Sequence, residues 1–426
     1  MNQCNIDLLD LPTEILITIF KKLDNIDILY SLFDVNNQRL DKIIKENICI
    51  HTLNFVSTTL TDDTLSISDR ILDRFCMNIL PRIHYNIKSI VLNSLSMERI
   101  LRVAGYPNLS ELKIFNFNGK IVSHYLTVES PLRRIFQRQI TDLILVFENS
   151  FNEISFESPL RRIFQRQITD LILVFENSFN EVSCEHYSTD IYGFIFKFFE
   201  NLKHLSIIGS YSKNFPPLIL CNLPSTTYYS STLYKLCIHV MCYDDLLALL
   251  DGRLKQLNTL NVVIIDEDFH STNVYNTNNL PDLKYFNLQC NCLTDAYYNK
   301  ILPLLRRMLN IEVLNLNLIL DNLTTFIDGK HIYNEIIVHM SKLNRFNFCF
   351  CNFIELDHLV HHLSKDDILQ TFNNITDQQV DCMIKYRNFD IKYHVFTLPF
   401  IFDNLYYIDN TFSNIIFNHV LCIAGV

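Results

Sequence analysis

Between residues 50 and 350 one spacing of apolar positions, h-x-x-h-x-h, recurs eleven times. The triplets are Ile50/Leu53/Phe55, Ile87/Ile90/Leu92, Leu109/Leu112/Ile114, Ile140/Leu143/Leu145, Ile168/Leu171/Leu173 and Leu202/Leu205/Ile207. They continue as Leu233/Leu236/Ile238, Leu257/Leu260/Val262, Leu283/Phe286/Leu288, Ile311/Leu314/Leu316 and Leu343/Phe346/Phe348. Their starts lie 22 to 37 residues apart, a period typical of solenoid coils. The last two apolar positions of each triplet alternate with other residues, which predicts a strand whose intervening side chains face away from the core. Between the strands, 97–103, 191–199, 244–250, 296–308 and 332–340 carry apolar residues three or four apart and read as helices. A unit of one strand and one helix cannot bury its own apolar face, so such units stack.

A tandem duplication supports that reading. Residues 129–156 recur as 157–184 with two differences, Ile154 against Val182 and Phe156 against Cys184. The 28-residue unit contains one triplet, so a stacked array can accept it as one more coil in register. After Phe353 the triplet fades, and 354–390 carry no clear copy. Residues 393–398 read as a strand stopped by Pro399, 400–412 as a helix and 417–423 as a further strand. No polar capping unit is evident, which leads us to expect an incomplete last coil or a partner over the edge strand.

The N-terminal stretch, 11–40, has a different period. Pro12 suits a helix start and Glu14 suits a first turn. One stripe runs through Ile15, Leu16, Ile19, Phe20 and Leu23 and ends at Asp24-Asn25. A second comprises Ile28, Leu29, Leu32, Phe33 and Val35, and a third Leu40, Ile43 and Ile44. Three short helices bury little by themselves, so this stretch is expected to lend a face to a partner. Leu11, Pro12, Glu14, Ile15, Leu16, Ile19, Phe20, Leu23, Asp27, Leu29 and Val35 match, position by position, the pattern of an F-box, which the stretch resembles. The resemblance implies docking on the Skp adaptor of cullin–RING ubiquitin ligases through Leu11, Pro12, Glu14, Ile15, Leu16, Ile19, Phe20, Leu23, Leu29 and Val35. Where family members often carry a tryptophan, this chain reads Asn37-Gln38-Arg39-Leu40.

The coils behind it resemble leucine-rich repeats of the LxxLxL type. The family's asparagine, three residues past the last apolar position, is met by Asn291, and Cys351 takes the equivalent place in another coil. The expected fold is α/β: a three-helix F-box at 5–49, then an irregular leucine-rich-repeat-like solenoid at 50–352, a horseshoe with an inner parallel sheet. Divergent, incomplete coils would fill 353–426. In such a fold the residues between the apolar strand positions line the concave face. Lys113, His204, Lys235, Asn261, Tyr285, Asn287, Asn315 and Arg345 are therefore the candidate target-binding residues.

Composition narrows the function further. Among 426 residues only seven are glycine, which argues against a glycine-lined nucleotide site. The net charge of −10 disfavours non-specific nucleic-acid binding. No secretory signal and no apolar run of membrane-spanning length is present, and the mean hydropathy is +0.12. A protein of the cytoplasm, with access to the nucleus, is expected. Thirteen cysteines include no CxxC pair; Cys290/Cys292 and Cys349/Cys351 lie on or beside strands and read as reduced core thiols.

His358, His361 and His362 share a helical face and could hold zinc with a fourth ligand from elsewhere, but no general-base Glu lies between them as in HExxH, and a solvated face is expected. Arg133, Arg134 and Arg138, their copies Arg161, Arg162 and Arg166, and the pair Arg306-Arg307 are the basic clusters. No phosphate-binding loop or nucleophile motif occurs. The expectation is a non-catalytic chain with no metal or cofactor: a receptor linking a Skp-type adaptor and cullin to a target protein. The alternative is an interaction scaffold without ubiquitin transfer.

Overall fold

The computed structural model describes residues 8–35, 37–47, 51–58, 64–117, 135, 139–147, 167–175, 192, 195–196, 199–209, 217–220, 229–265, 279–321, 326–355, 364–373, 375, 378–386, 390–406 and 422–424. The chain divides into two compact units, the first covering 1–179 and the second most of 180–426.

In the first unit, three helices form where the stripes predict them: α1 (Thr13–Phe20), α2 (Asn25–Leu32) and α3 (Gln38–Asn47). Their starts are chemically specified. Pro12 O accepts from the amides of Ile15 and Leu16. Asp24 caps α2 by accepting from Ile26 N at 3.1 Å, and Asn37 Oδ1 accepts from Arg39 N and Leu40 N. Leu16, Phe20, Ile26, Ile28, Leu29, Phe33, Leu40, Ile43 and Ile44 are buried. The helices are fastened to the first coil by polar contacts. Asn25 Nδ2 donates to Thr52 O, Arg74 donates to Phe33 O, and Arg82 pairs with Asp34 at 2.7 Å.

The strands of this unit follow as β1 (Thr52–Asn54), a small antiparallel pair β2 (Val56–Thr58) and β3 (Thr64–Ser66), then β4 (Ser89–Asn93), β5 (Glu111–Phe115), β6 (Asp142–Phe147) and β7 (Asp170–Phe175). Strands β1, β4, β5, β6 and β7 lie side by side, all parallel, in chain order. Helix α4 (Asp69–Arg74) runs through a π turn at Phe75–Ile79 into α5 (Leu80–Ile83), and α6 (Met97–Leu101) follows β4. The duplication is read directly in the sheet. Each residue from Asp142 to Phe147 pairs with its own copy, from Asp170 to Phe175, 28 positions on. The repeated segment therefore adds one strand in register.

The second unit continues the scheme with parallel strands β8 (His204–Gly209), β9 (Lys235–Val240), β10 (Thr259–Ile264), β11 (Tyr285–Thr294), β12 (Val313–Leu320) and β13 (Arg345–Glu355). Helix α7 (Tyr243–Leu249) follows β9. A π turn at Tyr297–Ile301 leads into α8 (Leu302–Leu305), and α9 (Gly329–Glu335) is followed by a 3-10 turn at Ile337–His339. Both π turns directly precede a Leu-Pro pair, Leu80-Pro81 and Leu302-Pro303. A proline ring crowds the carbonyl four residues back, and widening the helix there relieves the clash. The single helix expected at 296–308 is thus realised in two parts.

Every apolar position of the eleven triplets that falls among the described residues is buried, apart from half-buried Leu343. Unequal coil lengths are tolerated because the strand starts are pinned. The carbonyls of His51, Lys88, Ser110, Thr141, Lys203, Tyr234, Asn258, Lys284 and Glu312 each accept from two consecutive amides of the following coil, as Lys88 O does from Ser110 and Glu111. In each unit the repeated coils build a mostly parallel α/β sheet, consistent with a leucine-rich-repeat-like fold.

Past β13 the structure departs from expectation. Helix α10 (Lys365–Gln370) and strand β14 (Gln379–Tyr386) lead to β15 (Asp390–Leu398), which pairs antiparallel with both β13 and β14. An antiparallel pair thus covers the edge of β13 that sequence reading left open. The helix expected at 400–412 is not formed in its described part, where β16 (Asn404–Tyr406) pairs in parallel with β17 (Cys422–Ala424). The physical reason is the alternation of buried Phe400, exposed Ile401 and buried Phe402: a period of two, which an extended segment satisfies and a helix does not. Among the described residues, no helix is long and apolar enough to cross a membrane.

Candidate functional site

Two surfaces carry the residues singled out by sequence. On the N-terminal helices the predicted docking residues divide into layers. Leu16, Phe20 and Leu29 are core, while Leu11 and Ile19 are half-buried. Pro12 and Glu14 are exposed, and Ile15, Leu23 and Val35 stand 47%, 50% and 52% exposed. The segment ahead of α1 is held in place by Arg39, whose guanidinium donates to Leu9 O at 2.9 Å, Leu11 O at 2.6 Å and Thr13 Oγ1 at 3.2 Å. Sequence reading did not identify this clasp. Arg39 lies within the tetrapeptide 37–40, and its contacts orient the backbone bearing Leu11 and Pro12.

The second surface is the strand face opposite the core. In the second unit its register brings the candidates into two rows. Lys235, Thr259, Tyr285, Val313 and Arg345 are successive partners along one, and Cys237, Asn261, Asn287, Asn315 and Asn347 along the next. His204 joins the first row beside Lys235. Lys113 belongs to the first unit, on β5, where its ammonium sits 4.5 Å above the Phe115 ring.

His204, Lys235, Asn261, Tyr285 and Asn287 are half-exposed and Arg345 is exposed. Asn315 is buried. It donates to Tyr285 Oη at 2.8 Å and accepts from Asn347 Nδ2 at 2.7 Å, while Asn347 accepts from Gln378 Nε2 at 2.7 Å. Burial raises the Tyr285 hydroxyl above its ordinary pKa, opposed by the Asn315 hydrogen bond and the nearby Arg345 charge. Desolvation of His239, one position further along β9, holds its imidazole down at about 4 and therefore neutral near pH 7. The rows accordingly present amides and the Tyr285 hydroxyl, flanked by Lys235 and Arg345.

The far end of this face is closed by the chain itself. Asn317 Nδ2 donates to Asn404 O at 3.2 Å. Cys349, Phe396, Phe400 and Phe402 form a small apolar cluster with Met383 and Leu398 packed against it. Cys349 and Phe396 are register partners on the side of β13 and β15 away from the main core. Asn347, Asn317 and Gln378 were missed by sequence reading, although Asn347 occupies the same strand position as Asn315 and could have been found from it.

Other predicted clusters have structural employment or fall elsewhere. Arg306 pairs with Glu335 at 2.5 Å, and Arg307 is buried with Nη2 3.4 Å from Leu250 O. His358, His361 and His362 lie outside the described residues, as do Arg133, Arg134, Arg138, Arg161, Arg162 and Arg166.

No family model matches the chain, and no curated protein does. Among solved structures the chain is similar to the leucine-rich repeat-containing protein LegL7 from Legionella pneumophila, at 12% identity and a TM-score of 0.36, over 76% of this chain and 98% of that one.

Proposed function

We propose that the chain is a non-catalytic substrate-recognition subunit whose N-terminal helices dock a Skp-type adaptor, and through it a cullin, while the repeat array holds a target protein for ubiquitin transfer by other subunits. The observation that carries this reading is the exposure of Ile15, Leu23 and Val35 on a small helical unit whose core is made by other residues. Covering the half of one such side chain that is still exposed is favourable by roughly 1 kcal/mol, about half the value for a fully exposed one. Leu16, Phe20 and Leu29 then support the docking surface from beneath, and the Arg39 clasp presents Leu11 and Pro12. The target site is the open face around His204, Lys235, Asn261, Tyr285 and Asn287, with Arg345 at its margin. The chain's work is positioning, which turns an encounter in solution into a local one.

Affinity purification of the full chain tests the proposal. Adaptor and cullin should co-purify, and Ile15→Asp with Leu23→Asp should remove both while the chain stays folded, because these side chains are exposed. Adaptor binding without cullin-dependent turnover of any bound protein would leave an interaction scaffold without ubiquitin transfer. Absence of adaptor from the wild-type chain would end the receptor reading.

A further inference from the structure

The Sγ atoms of Cys290 and Cys292 lie 3.3 Å apart. In a regular strand, residues two apart are separated by roughly 6.6 Å along the chain, and their sulfurs do not touch. They touch here because the ladder to β12 breaks between them. Cys290 pairs with Leu318 and Leu293 with the next residue, Ile319, leaving Asn291 and Cys292 as a bulge. A bulge bends the strand, and Cys290 Sγ also reaches Cys292 O at 3.4 Å. Access differs between the two: Cys290 is buried, whereas Cys292 is half-exposed.

We propose that Cys290 and Cys292 are a redox-active dithiol, a modification site that peroxides oxidise to an intramolecular disulfide. Cys292 is the accessible thiol and attacks first. Its sulfur takes one peroxide oxygen as the O–O bond breaks, giving a sulfenic acid, and the other oxygen leaves as water. The Cys290 sulfur then attacks the sulfenic sulfur, the S–O bond breaks, and the hydroxyl leaves as a second water with the Cys290 proton. Two thiols and one peroxide become one disulfide and two waters, the sulfurs supplying both electrons. The sulfurs must close from 3.3 Å to about 2.05 Å, a movement that bulge residues outside the β11–β12 ladder can make.

The chain carries its own control. Cys349 and Cys351 have the same spacing, but both are buried and sit in an uninterrupted ladder opposite Phe396 and His394. Burial also pushes the Cys349 thiol far above its ordinary pKa, keeping it protonated and unreactive.

The test uses the full chain, reduced, freed of reductant, exposed to hydrogen peroxide, then denatured, alkylated and digested for mass spectrometry. The peptide holding Cys290 and Cys292 should be lighter by one pair of hydrogens and carry no alkyl group, with dithiothreitol reversing both changes. Cys349 and Cys351 should be fully alkylated. In Cys290→Ser, which removes the resolving thiol, dimedone should trap a sulfenic acid at Cys292. Full alkylation of Cys290 and Cys292 after peroxide, or sulfinic acid at Cys292 with Cys290 still alkylated, would overturn the proposal.

Discussion

Strands β9–β11 and strands β12–β13 have the same alternation of inward apolar and outward polar residues, and their outward asparagines stand at the same register. Yet Asn261 and Asn287 keep contact with solvent, whereas Asn315, Asn317 and Asn347 are buried. The strands do not make this difference. Segments that follow β13 contribute at the far end: Gln378 donates to Asn347, Asn404 O accepts from Asn317, and Phe400 and Phe402 pack with Cys349. A repeat array thus offers a partner only that part of its outward face which the rest of the chain leaves uncovered. At the covered end, the same residue type is buried and hydrogen-bonded within the chain.

The contrast can be broken or sharpened at several points. The largest effect is expected from Phe402→Ala, which empties part of the covering cluster; truncating a buried phenylalanine costs about 3–5 kcal/mol. Thermal unfolding of the variant should show a clear loss of stability, and Cys349 should become open to alkylation in the native state. Gly329→Ala comes next. A methyl group there would collide with Thr371 O, in a helix start whose amide donates to Thr371 Oγ1 at 2.8 Å. Overpacking of this kind costs roughly 1–3 kcal/mol, and chemical denaturation should place the variant at that level or above.

Asn347→Ala should cost about 1–3 kcal/mol, because it leaves Asn315 and Gln378 without a shared partner in a buried site. The smallest stability effect belongs to the open end. Asn287→Ala should change stability by no more than about 0.5 kcal/mol while weakening capture of the target. Equal stability losses from Asn347→Ala and Asn287→Ala would erase the distinction between the two ends.

Much of this architecture is legible in the sequence, for local reasons. A leucine-like residue at each inward strand position, followed by alternation, specifies the strand and the face it buries. The duplication fixes register by itself, since Leu143 and Leu171 are copies and pair directly. Helices α1–α3 announce themselves through Pro12, Asp24 and Asn37 as well as through their stripes. What could not be read depends on distant partners. Asn317 and Asn404 are 87 residues apart, and nothing near either predicts their contact. Phe400 and Phe402 lie in a run so rich in apolar residues that a helical stripe can be drawn through it, and only the cluster on Cys349 selects the extended form. The division of the proposed docking residues into core and surface is likewise tertiary, because Leu16 and Ile15 are adjacent in sequence and differ only in which side of α1 they occupy.

Calorimetric titration of purified Skp-type adaptor into the purified full chain tests most directly whether the exposed N-terminal apolar residues form a docking surface. Saturable one-to-one binding is predicted, abolished by Ile15→Asp with Leu23→Asp and unchanged by Asn287→Ala. Absence of binding to the wild-type chain, or equal binding by the Ile15→Asp, Leu23→Asp variant, would contradict it.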